Sequence, residues 1–255
     1  MKSRYQAILN NVDLSSISDK ILILDIKPVA QNIQDSTFRT AKRDGARINR
    51  RYIGSIGVTI SFGIYEYNTS RRQDICAAIA KWAKNGGVLE TNDRPGQYLQ
   101  CVCSKMPVVD SARDWTKALQ MTFTAYEIPY WQEKAAASAT ITGTSTTGSL
   151  YVPGNADGAL VEVSAKANAS LSGSVVLGVN GRTLTLSGLS LSANSVIKIS
   201  YDTEAIQSIK VGNTSLLDKR TGVDDLLANC GENNALSLTA SASVSATFSV
   251  RGLWV

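Results

Sequence analysis

The side chains that carry out most hydrolytic and metal-dependent reactions are missing from this sequence or scattered along it. Its 255 residues contain no histidine, which excludes a Ser-His-Asp triad, a Cys-His dyad and every histidine-ligated metal site. Asp224 and Asp225 are the only adjacent carboxylates, and we expect them to open a helical turn over residues 224–228, because Asp favours helix starts. The sequence therefore offers no catalytic residue, no metal ligand set and no cofactor-binding motif, and we predict that the chain is not an enzyme.

The four cysteines, Cys76, Cys101, Cys103 and Cys230, are the remaining reactive side chains. Cys101 and Cys103 are two residues apart on a predicted strand, so both point to one face. This spacing is not that of a zinc site, and no second pair completes one. Free cysteines are usually buried as small apolar residues. We expect that state here, without a disulfide framework.

Charge divides the chain into two halves. The net charge is +5, and residues 1–133 hold 18 basic and 13 acidic side chains, whereas residues 134–255 hold 8 of each. Such asymmetry indicates two modules, with predicted domains of 1–133 and 134–255. Residues 136–149 are almost wholly Ala, Ser, Thr, Ile and Gly. We interpret them as a short linker leading into a weak first strand.

A run of basic residues is the one charged feature that suggests an interaction. It lies between a strand that we expect to end at Pro28 and another that contains Ile56, so it is predicted to be a long connection. Three interpretations are open: a solvated loop, a contact with another protein subunit, or a nucleic-acid site. The last is the least favoured, because only Phe38 and Tyr52 could stack on bases. The candidate subunit-interface residues are Arg39, Lys42, Arg43, Arg47, Arg50 and Arg51.

The elements that would position these residues are mostly strands in the first half. Residues 56–64 alternate apolar and small polar side chains without a fault, which predicts a half-buried strand. Ser70 and Gln73 form a capping-box pattern, and the helix it opens is expected to run to about residue 85. Ile75, Ile79 and Trp82 share one face of that helix, and we expect them to pack on the strand 56–64.

The second half is predicted to be almost entirely β. Asn180-Gly181 lies between two apolar segments and predicts a two-residue type I′ hairpin that pairs Val179 with Arg182. Between residues 236 and 250 every even position is apolar. Many short strands separated by turn signals indicate a β-sandwich or jelly roll. The predicted fold class is mainly β with one α-helix.

Membrane insertion and export are not expected from the sequence. No apolar run approaches the roughly 20 residues of a membrane span. The N-terminus lacks the continuous apolar core of a secretion signal. We therefore expect the chain to be made and folded in a cytoplasm.

Several short segments follow one another in a characteristic order. The first half has a long strand (52–62), a helix with Trp82, a Pro-Gly turn (94–99), a second strand (119–125) and a Pro-Tyr-Trp segment (129–131). The second half has a Gly-x-Asn step (230–236) before its last strands and an Arg-plus-aromatic ending (250–254). This order resembles the distal tail protein (Dit) family of long-tailed siphophages and prophages of Gram-positive bacteria.

This resemblance implies a structural role without chemistry or cofactors. Members form a homo-hexameric ring at the virion tail tip, the baseplate hub, through a tail-tube-like β-sandwich or barrel with a helix. Their C-terminal domain is a galectin-like β-sandwich. The ring joins the tail-tube protein to the tail-associated protein of the tail tip, and in some phages it holds receptor-binding proteins. DNA passes through the ring without specific binding, so we expect the basic run to meet neighbouring subunits and not the channel.

A carbohydrate-binding β-sandwich, acting as a host-surface adhesin, is the alternative function. Galectin-like sandwiches often bind sugars, and sugar sites usually show exposed Trp or Tyr beside amides and carboxylates. Tyr151, Tyr201 and Trp254 are far apart in the sequence. Their separation favours the structural hub.

Overall fold

The computed structural model describes residues 4–38, 47–107, 118–202, 206–222 and 225–255. The chain divides into two compact units, Met1–Trp131 and Gln132–Val255, and this division lies two residues before the predicted boundary. The described residues are mainly β with a single α-helix, as the sequence predicts.

The first unit contains the elements β1 (Ala7–Leu9), β2 (Val12–Asp13), β3 (Ile21–Phe38), β4 (Arg47–Ile64), α1 (Thr69–Ala83), β5 (Gly87–Thr91), β6 (Gln97–Lys105), β7 (Leu119–Ala125) and β8 (Trp131–Glu133). Its antiparallel sheet has the strand order β2-β1-β5-β6-β7-β4-β3. The apolar core includes the alternate residues of β4, Ile56, Val58, Ile60, Phe62 and Ile64, each 5% exposed or less, so the predicted period-two pattern of this strand is confirmed.

Strand β3 does not end at Pro28, so that prediction is wrong. Pro28 pairs with Val58, and the ladder between β3 and β4 continues to Phe38 and Arg47. Proline lacks a backbone donor, yet it is tolerated here because β3 is the edge strand of the sheet. A register shift follows Ile23, so that Ile23 and Ile26 are buried whereas Leu24 between them is exposed.

The helix begins earlier than predicted and has a different cap. Asn68, not Ser70, is the N-cap, and its side chain accepts a hydrogen bond from the Arg71 backbone N–H. Of the predicted apolar face, Ile79 is fully buried and Trp82 is half-buried. Trp82 meets Phe123 of β7 edge to face at 5.9 Å. The helix therefore packs on the sheet through Trp82, and Ile75 is only half-buried.

The second unit contains the strands β9 (Ala137–Val152), β10 (Asp157–Ala167), β11 (Leu171–Val179), β12 (Arg182–Leu191), β13 (Val196–Tyr201), β14 (Gln207–Val211), β15 (Thr214–Ser215), β16 (Arg220–Thr221), β17 (Leu227–Asn229), β18 (Glu232–Val250) and β19 (Leu253–Trp254). They form a curled antiparallel sheet with the strand order β15-β14-β13-β10-β18-β11-β12-β16. Strand β18 pairs with β11 through residues 236–240 and with β10 through residues 244–250, while β9 pairs along its other side.

The predicted Asn180-Gly181 hairpin is confirmed in its register. Val179 pairs with Arg182 and Leu177 with Leu184. Asn180 and Gly181 have φ angles of 51° and 81°, as a type I′ turn requires. The even-numbered residues of β18 from Leu236 to Leu238 and from Val244 to Val250 are buried, which closes the apolar interior of a sandwich.

Two local predictions for this unit are wrong. Residues 136–149 are not a linker, because β9 starts at Ala137 and pairs along its length with β18. Its Ser and Thr residues suit a strand, and Ile141 and Leu150 are buried. The helical turn expected over residues 224–228 does not form at Leu227 and Ala228, which belong to β17, where Leu227 pairs with Leu160 of β10. Pairing with β10 outweighs the local helix signal.

Candidate interaction surfaces

The predicted basic connection is in part a strand. Arg47, Arg50 and Arg51 lie in β4, opposite Phe38, Ser36 and Asp35 of β3. The prediction of one long loop is therefore wrong for these three residues, because β3 and β4 form a far longer hairpin than Pro28 suggested. Arg39, Lys42 and Arg43 lie outside the described residues. The structure thus places half of the candidates at one end of an edge hairpin.

A second basic feature was missed by the sequence reasoning. Lys198 of β13 lies directly opposite Lys210 of β14, and Ser164 on β10 pairs with Lys198. Lys166 is two residues further along β10, so it shares a face with Ser164. All three lysines are exposed. Like charges directly opposite each other on a sheet are mildly destabilising, and only the register of the strands reveals them.

Two of the four cysteines, Cys101 and Cys230, are buried, whereas Cys76 and Cys103 are half-buried. Cys101 is 4% exposed, and burial, with a smaller effect from the neighbouring Cys103, raises the pKa of its thiol to about 12. Burial also raises the pKa of Cys76, Cys103 and Cys230. All four are free. Among the described residues no three His, Cys, Asp or Glu side chains gather as a metal site would need.

Two of the N-terminal segments that carry the family resemblance meet in space. The guanidinium carbon of Arg94 lies 5.1 Å from the ring centroid of Trp131, and Trp131 is buried. Arg94 is held by its turn, in which its carbonyl accepts from the Gln97 N–H at 3.2 Å and Gly96 adopts a φ of 84°. A cation over an indole face is a stabilising contact. In this chain the contact joins the segments 94–99 and 129–131.

The Gly-x-Asn step contains a fully buried amide. The Asn234 side chain is 0% exposed, and its Oδ1 accepts from Asn180 Nδ2 and from the Asn229 N–H, both at 2.7 Å. Its Nδ2 donates to the carbonyls of Asn229 (2.9 Å), Glu232 (3.2 Å) and Leu150 (3.3 Å). Every hydrogen-bonding atom of the amide is used. Asn234 therefore joins β9, β17, β18 and the β11–β12 turn.

The Arg-plus-aromatic ending, residues 250–254, forms hydrogen bonds with the start of the second unit. Arg251 Nη1 donates to the carbonyls of Glu133 (3.2 Å) and Lys134 (2.5 Å). Trp254 Nε1 donates to Glu133 Oε1 at 2.7 Å. The N–H of Leu253 points at the Cys230 sulfur, 3.3 Å away. The two C-terminal segments of the resemblance therefore also meet, and the segment 250–254 binds residues 133–134.

The aromatic residues of the second unit do not assemble a sugar platform. Trp254 is engaged by Glu133. Tyr201 is half-buried, and its hydroxyl accepts from Gln207 Nε2 at 2.9 Å. Gln207 in turn accepts from Arg220, which lies 3.9 Å from Asp225. Of the three aromatics considered for sugar binding, only Tyr151 is exposed, at 56%.

Comparisons with known proteins identify a fold. No protein-family model matches the sequence, and no curated protein sequence does either. The structure is similar to that of SPP1 Dit (gp 19.1), described as a paradigm of hub adsorption apparatus in phages that infect Gram-positive bacteria. The TM-score is 0.70 at 11% identity, over 97% of this chain and 98% of that one.

Two further matches come from baseplates. A chain of the phage P2 baseplate in its Ca-activated conformation gives a TM-score of 0.45 at 7% identity, and a chain of the Sr-activated p2 baseplate gives 0.39 at 9%. Each match covers 93% of this chain and 98% of the other. The SPP1 match shows that the chain has the β-rich fold of a Dit protein. This is the fold that the sequence resemblance predicts.

No helix in the described part of the chain is both long enough and apolar enough to cross a membrane.

Proposed function

We propose that the chain is the structural hub of a phage tail tip. It forms a homo-hexameric ring that joins the tail tube to the tail-tip and receptor-binding apparatus, and it performs no catalysis. The observation that carries this proposal is the match to SPP1 Dit over nearly the full length of both chains. The lack of a histidine is consistent with it. The proposed site of action is the virion tail, and synthesis takes place in the host cytoplasm.

The first unit is the proposed ring-forming part. One face of β4 carries the half-buried residues Ser55, Thr59 and Ser61, and Thr59 Oγ1 lies 3.1 Å from Thr122 Oγ1 of β7. Residues 54–64 of β4 and 119–125 of β7 carry no charge. Cations occur on the flanking strands, where Lys27 lies opposite Thr59 and is ion-paired with Asp25 at 3.0 Å, and Lys105 lies opposite Thr122. Uncharged strands release no counterions from DNA, so β7 and this part of β4 suit a channel through which DNA passes without specific binding.

The basic residues are proposed to lie at contacts between subunits. An arginine that lined a six-fold opening would appear six times, and together these arginines would bind the DNA tightly. At a subunit boundary, arginines can instead pair with carboxylates in bidentate geometry. We infer that Arg39, Lys42, Arg43, Arg47, Arg50 and Arg51 contact a neighbouring subunit or the next ring.

The proposed partners are other tail proteins: the tail-tube protein above the ring, the tail-associated protein below it, and in some cases a receptor-binding protein. The second unit is the proposed outer, galectin-like domain. Sugar binding is not the function we favour for it, because Trp254 and Tyr201 are engaged within the unit.

Size-exclusion chromatography with light scattering tests the proposal. The hub requires a particle of six times the 27.3 kDa chain. A monomer that a glycan column retains would contradict the hub and support the adhesin. A monomer that no glycan retains would contradict both.

A further inference from the structure

The edges of the two sheets are protected to very different degrees. Unpaired strand edges invite pairing with other chains, and proteins blunt them with short strands, charges, prolines or covering segments. Strands β2, β15 and β16 are two residues long each. The long edge strand β3 carries Pro28 and an ion pair between Lys27 and Asp25 at 3.0 Å. On β12, Thr185 and Leu186 are covered by β16.

Strand β9 has none of these protections. It is 16 residues long, and among the described residues it pairs only with β18. Residues 135–156 contain no charged residue, and residues 135–152 contain no proline. Its Thr residues favour extended structure. This is the longest edge without charge or proline in the described parts of either sheet.

One irregularity divides the β9 edge into two straight segments. The register with β18 shifts between Gly143 and Ser145. Gly143 has a φ of 153°, and Thr146 Oγ1 donates to the Thr142 carbonyl at 3.2 Å. On either side of this bulge, residues 137–143 and 145–152 each pair regularly with β18. Each segment is longer than a typical strand of about five or six residues.

We propose that β9 is an interface with a second copy of this chain, formed by antiparallel pairing of β9 with β9 of the other copy. A two-fold contact requires a strand that is complementary to itself. An uncharged strand meets this requirement, because no like charges face each other in any register. The outward residues Ser138, Thr140 and Thr147 are exposed hydroxyls and can align in cross-strand pairs, as Thr140 and Thr247 already do at 2.8 Å.

The lack of charge on β9 also favours pairing with a second copy over pairing with a charged strand of another protein. The edge offers no counter-charge to an acidic or basic segment. A second β9 brings the same alternation, with Ile141 and Leu150 directed to the interior. This inference does not rest on the proposed hexamer, because it predicts a doubling of whatever particle the first unit forms.

Sedimentation velocity of the full chain over a wide concentration range tests the proposal. We expect the mass to double as concentration rises, from one chain to two or from six to twelve. The double variant Ser138→Lys/Thr147→Lys places charges on both segments of the edge, and its mass should not double. The matched control is Ser237→Lys/Ser249→Lys, since these residues pair with Thr147 and Ser138 one strand further in. The control should double like the wild type.

Hydrogen exchange gives a second readout that needs no variant. If β9 pairs with its counterpart, exchange of amides within 137–152 slows as the wild-type protein is concentrated, while exchange elsewhere in β10 and β11 is unchanged. A wild-type mass that stays constant with concentration would overturn the proposal, as would doubling that survives the Ser138→Lys/Thr147→Lys change in a folded protein. A constant mass together with rapid amide exchange over 137–152 would show that β9 does not pair with a second copy. Pairing with a strand of another protein would then be the remaining explanation for the unprotected edge.

Discussion

The side chains of Asn180 and Asn234 are joined by a 2.7 Å hydrogen bond, although 54 residues separate them. Asn180 holds the left-handed position of the β11–β12 turn, with a φ of 51°, and its Oδ1 accepts from the Ala235 N–H at 2.9 Å. The two amides thus fix the tight turn of one hairpin against the start of β18. Asn180 in the turn and the buried Asn234 therefore belong to the same hydrogen-bond network.

Replacing Asn234 with alanine tests how much this network stabilises the second unit. Asn234→Ala leaves the Asn229 N–H and the Leu150 carbonyl without their partner, and unsatisfied buried groups cost about 1–3 kcal/mol each. We expect a loss of about 3 kcal/mol in the free energy of unfolding, measured with urea. Asn233→Ala is the control, because Asn233 is exposed. Equal effects of the two changes would show that the network is unimportant.

Trp82 anchors the helix by two separable interactions. Its indole N–H donates to the Val12 carbonyl at 2.9 Å, and its ring packs on Phe123. Trp82→Phe removes the hydrogen bond and should cost about 1 kcal/mol. Trp82→Ala also removes the packing and should cost about 3 kcal/mol, the low end for a large aromatic, because the ring is half-buried. Chemical denaturation monitored by circular dichroism measures both; an unchanged midpoint for Trp82→Ala would contradict this account.

The buried thiol of Cys101 should make the free energy of unfolding fall as the pH rises in the alkaline range. Burial raises the pKa of its thiol from 9.0 to about 12, so the folded state favours the protonated form. The resulting stabilisation is complete below pH 9 and is lost as pH rises toward 12. The difference in unfolding free energy between wild type and Cys101→Ala should therefore shrink between pH 8 and pH 11. A constant difference across this range would show that the thiol titrates normally.

Arg251 should protect the peptide bond after Lys134 from trypsin. Its guanidinium binds the carbonyls of Glu133 and Lys134, and cleavage requires this segment to open locally. A hydrogen bond from a charged donor contributes about 1.5–3 kcal/mol, so Arg251→Ala should speed cleavage at Lys134 about tenfold or more. Arg182→Ala, in an exposed turn, serves as the control. Cleavage at one rate in all three proteins would contradict the role assigned to Arg251.

Charge reversal tests the proposed subunit contacts of the basic residues. Arg43→Glu/Arg47→Glu turns attraction into repulsion at every boundary of a ring, and we expect the hexamer to dissociate into smaller species on light scattering. The control is Lys198→Glu/Lys210→Glu, which changes the net charge equally at exposed positions of the second unit. Normal assembly of the Arg43→Glu/Arg47→Glu protein would show that these side chains are merely solvated.

Elements with a complete local signal could be predicted from the sequence. The Asn180-Gly181 sequence predicted the register of β11 and β12, because two residues that accept positive φ favour a two-residue type I′ turn at that point. The alternation of residues 56–64 predicted a buried face because the period of a strand is two. The sandwich and the single helix followed from such patterns.

Features that depend on distant partners could not be predicted. Pro28 looks like a strand end, but whether proline is tolerated depends on whether the strand lies at an edge. The Ser-rich start of β9 looks like a linker, and only its ladder with β18 makes it a strand. The Arg94–Trp131 contact and the Asn234 network join residues far apart in the chain. The resemblance had marked the segments that contain them, but not their contacts.

Electron microscopy of the purified full-length chain tests the central claim most directly. The account predicts class averages of rings with six-fold symmetry and an open centre, built from units that each contain two β-rich bodies. Single particles of one chain, or closed assemblies without a central opening, would contradict the proposal that this protein is the ring-shaped hub of a phage tail.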